Sequence, residues 1–311
     1  MKSLNQGVKE YIEYRSRLGF NLRGAKRLLF NFIAFIKQRG KTHITTELAL
    51  AFATINPNAK SSSWVNRLGT IRQFAKYWSS MDPKTEIPPV NLIRRSNVHL
   101  TPYIYSSNEI IQLLKSIKTN FNGELFDRYT YFVLFGLLAV TGMRIGEALR
   151  LNQRDVDIPH QIITIHESKF RKSRYIPIHR TTAIVLKKYG KYRDHCFPNP
   201  KTPHFFVGYL GNKCPERTVR DNFRKHIKRI GIGEQKGCQR PRIMDLRHTF
   251  AVKTILKMYK KGVTIIDQLL PVLSTYLGHV RPTTTYWYLT GTPELLRVVL
   301  SRIEKHKGRT I

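Results

Sequence analysis

The stretch QIITIHESKFRKSRYIPIH, residues 161–179, decides the fold class. Ile162, Ile163 and Ile165, and then Tyr175, Ile176 and Ile178, read as two short strands with a basic turn between them. Outward from it the chain reads as helix. Upstream, Leu134 to Leu151 is a buried-looking helix–turn–helix passage around Thr141 and Gly142. Downstream the pattern is helical to the last residue. The expected fold is mainly α with a small antiparallel β-sheet.

The N-terminal part also reads as helices. Val8, Tyr11, Ile12 and Tyr14 open one apolar stripe, and Leu28, Leu29, Phe32, Ile33, Phe35 and Ile36 form a second that Gly40 ends. Thr46 is placed to cap the segment ELALAFA. Trp64, Val65, Leu68, Ile71, Phe74, Ala75 and Trp78 make a further stripe, with Arg67, Arg72 and Lys76 interleaved. Such stripes pack into a small bundle and leave basic residues on its outer faces. Asp82 to Pro102, with Pro83, Pro88 and Pro89, breaks the pattern and reads as an extended linker. Ser107, Asn108 and Glu109 then look like a helix start before Ile110, Ile111, Leu113 and Leu114. The division expected is a helical domain at 1–96, a linker at 97–105 and a second domain at 106–311.

The 311 residues carry 54 Lys and Arg against 20 Asp and Glu, a net charge of +34 with a pI near 10.4. With 41% hydrophobic residues the chain folds, so the charge sits on structured surfaces. A polyanionic partner follows, because neutralising phosphates releases counterions from nucleic acid. Cys196, Cys214 and Cys238 are odd in number and in no CxxC pair, which argues against a disulfide framework or a zinc site. Gly40-Lys41-Thr42 has the ending of a phosphate-binding loop, but Phe35 stands where that motif needs glycine, so no nucleotide cofactor is expected. The apolar run Tyr131–Met143 falls short of the roughly 20 residues that span a bilayer. The N-terminus has no signal-peptide core, and free thiols suit a reducing compartment, so the expected location is the cytoplasm.

Four segments carry the polar chemistry. TGMRIGEALRL (141–151) sets Arg144 and Glu147 three apart, and SKFRKSRYIPI (168–178) puts Lys169 in the basic turn. PRIMDLRHTFAV (241–252) contains Arg247, and YLGHVRPTTTYWYL (276–289) contains His279 with Tyr288 nine positions on. In order and spacing these segments resemble the tyrosine recombinase, or phage integrase, family, including recombinases of bacterial mobile elements. The resemblance covers the second domain, and the first looks like the family's core-binding domain by helix pattern and charge. It implies a helical core-binding domain followed by an integrase-type catalytic domain. The activity implied is site-specific DNA recombination through a 3′-phosphotyrosyl intermediate, as in integration or excision of a mobile element.

These residue types meet the demands of that chemistry. A phosphodiester repels nucleophiles, and attack loads its non-bridging oxygens with charge. Two guanidiniums bind those oxygens by charge-assisted hydrogen bonds. The resemblance gives that work to Arg144 and Arg247. It gives the covalent step to Tyr288, whose phenol ordinarily titrates at about 10, with Tyr286 as the rival. It makes Lys169 the acid that protonates the leaving 5′ oxygen, with Lys172 as fallback, and His279 a hydrogen-bond donor to the phosphate. Glu147 orients Arg144 or caps its helix. The phosphotyrosyl link keeps the bond energy, so no ATP, metal or other cofactor is implied. The partners implied are double-stranded DNA, clamped by both domains, and a homo-tetramer on two DNA sites, with or without partner recombinases.

Where the family places His, three residues before the second arginine, this chain has Met244. A thioether neither gives nor takes a proton. His248, one turn on and on the same face, either compensates or is packed structurally, and Arg242 is a further phosphate contact to weigh. The expectation is an active but slowed enzyme. The alternatives are a DNA-binding homologue with impaired catalysis, a type IB topoisomerase-like enzyme and an RNA-binding module. Beyond Tyr288, Pro293 opens a final stripe of Leu295, Leu296, Val298, Val299, Leu300 and Ile303, which packs on its own domain or on a neighbouring protomer.

Overall fold

The computed structural model describes residues 3–20, 22–94, 102–120, 123–166, 173–233, 240–260 and 266–278. Over these the chain is helical with one small sheet, and it divides into two compact units, residues 1–99 and 100–311.

The first unit is built from α1 (Leu4–Arg17), α2 (Arg23–Gln38), α3 (Thr46–Ala53) and α4 (Ser61–Trp78). The predicted stripes are its core: Val8, Phe32, Ile33, Ile36, Ile71 and Phe74 are wholly buried. Helices α1 and α4 meet so closely that a Cβ on Gly7 would lie 2.3 Å from the Trp78 ring. The cap of α3 is Thr45, one residue before the one expected, its hydroxyl accepting from the Leu48 N–H at 3.2 Å.

The proline-rich segment corrects the sequence reading. Residues 82–90 are not free extended chain but fold back on this unit. Thr85 donates its hydroxyl to the buried Asp82 at 2.9 Å, and Glu86 donates its N–H to the Ile44 carbonyl at 2.8 Å. The Glu86 carboxylate accepts the Thr46 N–H at 2.7 Å. Arg72 donates from Nε to the Pro88 carbonyl at 2.6 Å and from Nη2 to that of Pro89. Proline removes a donor but leaves a carbonyl to be satisfied, and here a guanidinium satisfies two in a row.

The second unit opens with α5 (Ser107–Asn120), where Ser106 and Glu109 form a reciprocal capping box. Helix α6 (Leu125–Thr141) is the central element, apolar on most of its surface, and α5, α8 and α10 pack on it. The short α7 (Ile145–Ala148) and one 3-10 turn lead to β1 (Val156–Asp157), β2 (Ile162–Ile165) and β3 (Arg174–Pro177). The sheet is antiparallel in that order, with Ile163 opposite Ile176 and Ile165 opposite Arg174. Alternation turns Ile163, Ile165 and Ile176 into the core, as expected; the two-residue β1 is an addition. Then follow α8 (Arg180–Cys196), α9 (Glu216–Arg229), α10 (Ile243–Lys260) and α11 (Ile266–Leu277). Ala251, Val252 and Ile255 of α10 pack with Leu270, Leu273 and Leu277 of α11, which fixes where α11 ends.

Candidate active site

Two glycines in left-handed conformation shape the site. Gly142, at φ +62°, stops α6; a Cβ there would lie 2.5 Å from the Phe250 ring. The turn it makes sets Arg144 at the N-terminus of α7. Glu147, three residues on, accepts the Arg144 backbone N–H at 2.9 Å and its Nη1 at 2.7 Å. This is the carboxylate half of a capping box; arginine has no acceptor to complete the other half. Gly278, at φ +67°, lies just beyond the end of α11, its N–H donating to the Thr275 carbonyl at 2.9 Å.

Three guanidiniums converge on the end of α11. Arg174 donates from Nε to the carbonyl of Tyr276 at 2.7 Å, Arg247 from Nη2 to that of Leu277, and Arg144 from Nη2 to that of Gly278 at 3.1 Å. The last carbonyls of a helix have no partner within it and carry the negative end of its dipole, so cations are favoured there. Arg247 also reaches the Gly142 carbonyl from Nη1 at 2.9 Å, tying α10 to the turn before Arg144.

Glu147 is the counter-charge. Its side chain is 2% exposed, and besides Arg144 it accepts Arg174 Nη2 at 2.7 Å and Nη1 at 3.2 Å. Burial alone would raise its pKa. The hydrogen bonds and charge of Arg174, then the N–H and charge of Arg144, outweigh that and hold it at about 2.

A second buried acid lies on α10, two residues before Arg247. Asp245 is fully buried and accepts from the Arg242 N–H at 2.7 Å and from Arg242 Nη2 at 2.9 Å. His248 Nε2 stands 4.0 Å from it. Burial pushes the His248 pKa down; Asp245 opposes this, and Arg242 and Arg247 add to it. Met244, one residue into α10, is 38% exposed.

Of the residues singled out in the sequence, Arg144 and Arg247 come together at the α11 terminus, and Glu147 both orients Arg144 and braces its helix. Lys169 and Lys172, His279, Tyr286 and Tyr288, and the final apolar stripe lie outside the described residues. Gly278 immediately precedes His279 in the chain, and β2 and β3 lie on either side of the segment that contains Lys169. Sequence reasoning missed Arg174 and Asp245. The signal for Arg174 was present, since it shares the period of Ile176 and Ile178 and so faces inward. Among the described residues no group of three or more His, Cys, Asp or Glu could hold a metal ion, and no helix is long and apolar enough to cross a membrane.

Comparison with known proteins points one way. Residues 105–294 match the phage integrase family. The chain is 40% identical over 309 residues to y4rB of Sinorhizobium fredii, named as an integrase/recombinase, covering 98% of each chain. It is 26% identical over 243 residues to the tyrosine recombinase XerC of Staphylococcus saprophyticus, 78% of this chain and 75% of that one. Among solved structures, the Tn1549 transposon integrase in complex with transposon right end DNA is similar at a TM-score of 0.67 and 14% identity, over 97% of this chain and 100% of that one. XerH site-specific recombinase bound to its difH substrate is similar at a TM-score of 0.64 and 19% identity, over 89% of this chain and 78% of that one.

Proposed function

The chain belongs to the phage integrase family of tyrosine recombinases, site-specific enzymes that break and rejoin DNA, and from that premise we propose that Tyr288 carries the covalent step while Arg144 and Arg247 hold the phosphate it attacks. The substrate is double-stranded DNA. The Tyr288 phenol gives up its proton to solvent as its oxygen bonds to phosphorus, the bond to the 5′ oxygen breaks, and Lys169 supplies the proton that this oxygen takes up. Rejoining runs the same step backwards, with a 5′ hydroxyl of the partner strand as nucleophile. His279 donates a hydrogen bond to a non-bridging oxygen. Four protomers on two sites exchange strands in pairs, in the cytoplasm where the DNA lies.

One observation above all supports this reading. Arg144 and Arg247, from elements about a hundred residues apart, donate to the carbonyls of the adjacent residues Gly278 and Leu277, one step before His279. Two guanidiniums at one point form an electropositive seat of the kind a phosphate oxygen pair fits. The test is a duplex from the ends of the protein's own element, nicked so that the cleaved fragment diffuses away. A denaturant-stable protein–DNA adduct that disappears in Tyr288→Phe is the expected result. Site-specific binding with no adduct overturns the assignment and leaves a DNA-binding homologue.

A further inference from the structure

Arg174 touches Glu147 and the end of α11 at once, yet hardly reaches solvent. Its side chain is 7% exposed, and both its Nη groups are taken up by Glu147. Its fork grips both oxygens of Glu147, at 2.7 and 3.2 Å, and Glu147 in turn holds Arg144. Its Nε donates to the carbonyl of Tyr276, three residues before His279. Its own backbone opens β3, five residues after Lys169 in sequence. Gly278 presses against it: a Cβ there would lie 2.8 Å from Arg174 Nη1 and 3.0 Å from Cζ. One guanidinium thus ties together the helix of the first phosphate arginine, the end of α11 and the strand β3.

Its place differs from that of its two neighbours on α11. In the free protein all three arginines satisfy α11 carbonyls. On the phosphate-binding reading given above, on which this inference rests, Arg144 and Arg247 must turn Nη groups toward DNA. The carbonyls of Leu277 and Gly278 then lose donors at the moment when His279 has to be held still. Arg174, bound to the buried carboxylate, has no reason to move. We propose that Arg174 is a positioning residue for strand cleavage, keeping Glu147 with Arg144 and the end of α11 in register while the other two arginines pass from helix carbonyls to phosphate. Lysine cannot do this: it has one point of charge and no planar fork to engage two carboxylate oxygens and a carbonyl at once.

The test uses the full-length chain with Arg174→Lys, which keeps the charge, and three readouts. Binding of the nicked duplex should stay within about twofold of wild type, because in this role Arg174 stays on Glu147 and the Tyr276 carbonyl. The single-turnover rate of adduct formation should fall about 100-fold, the usual consequence of a misplacement near 1 Å. Hydrogen exchange of amides in the peptide spanning 270–278 should speed up while that of α5 and α6 stays unchanged. In a cycle with Glu147→Gln the two losses should not add, since both act on Arg144. A wild-type cleavage rate in Arg174→Lys, or equal losses in binding and cleavage, overturns the proposal. If the wild-type protein itself forms no adduct, the functional reading fails, and exchange alone decides: unaltered protection at 270–278 overturns the positioning role.

Discussion

Glu147 binds Arg144 twice, taking its backbone N–H at 2.9 Å and its guanidinium at 2.7 Å, so the residue that orients the arginine also starts the arginine's helix. The same carboxylate carries Arg174, which makes it a buried anion between two cations. Removing such a charge costs more than the pair contributes, because the partners stay buried without compensation.

Glu147→Gln is therefore expected to lose about 3–5 kcal/mol of stability at pH 7. An amide accepts from one guanidinium but turns its own NH₂ donors toward the other. The pH dependence has a definite sign. The folded-state pKa of Glu147 is depressed to about 2 from 4.5, so its contribution is complete above 4.5 and disappears as pH falls toward 2. That contribution is about 3 kcal/mol. Chemical denaturation at pH 7 and at pH 3 checks it: the gap between wild type and Glu147→Gln should narrow at the lower pH. A gap that does not change with pH would show that Glu147 is not held ionised by the arginines.

Gly278 and Gly231 share a φ of +67°, but only Gly278 has a neighbour against it. Alanine at either position carries the left-handed penalty, about 1–2 kcal/mol. At Gly231 a Cβ meets nothing within 4 Å, so Gly231→Ala should lower the melting temperature slightly and cleave DNA normally. At Gly278 the new Cβ pushes on the Arg174 guanidinium. Gly278→Ala should lose cleavage out of proportion to its loss of stability. Equal cleavage rates in the two variants would mean that the glycine of the LGH motif serves only the backbone.

These contacts show what was legible in the sequence. Helix α6 and the two longer strands could be read because their periods, 3.6 and 2, survive as buried faces, and the αL stops at Gly40 and Gly142 could be read because few other residues adopt that conformation. Arg144 and Arg247 were legible through their motifs. Arg174 was passed over, because in a segment rich in Lys and Arg each cation looks like a phosphate contact. Its inward orientation could be read only from the period it shares with Ile176 and Ile178. Proline density marked residues 82–90 as extended, but composition does not say what an extended segment docks on. That depended on Arg72, 16 and 17 residues away in sequence.

Arg72→Ala tests this correction. Two successive proline carbonyls lose their donor, and the segment they belong to should detach from the first unit. The expected outcome is faster proteolytic cleavage between residues 82 and 94, with a loss of about 1–3 kcal/mol from that unit. Limited proteolysis followed by mass measurement reports it. Unchanged cleavage would mean that Glu86, bound to Ile44 and Thr46, holds the segment alone.

Met244 bears most directly on rate. It stands 38% exposed in the first turn of α10, one helical turn from His248 and in the same helix as Arg247. His248 is a poor substitute as a proton donor: burial holds its pKa below the ordinary 6.5, Asp245 opposes this, and Arg242 and Arg247 add to it. A histidine at the more exposed position 244 would titrate nearer 6.5. Met244→His should accordingly raise the single-turnover cleavage rate by about 100-fold, the lower end of what a positioned acid or base contributes. The gain should also depend on pH. If the new imidazolium donates to the phosphate or the leaving oxygen, the advantage of the variant declines as pH rises through its pKa, while the wild-type rate has no inflection there. His248→Gln in the wild-type background should leave the pH profile unaltered. A Met244→His rate equal to wild type at every pH would mean that the site is already compensated, and that the thioether costs this enzyme nothing.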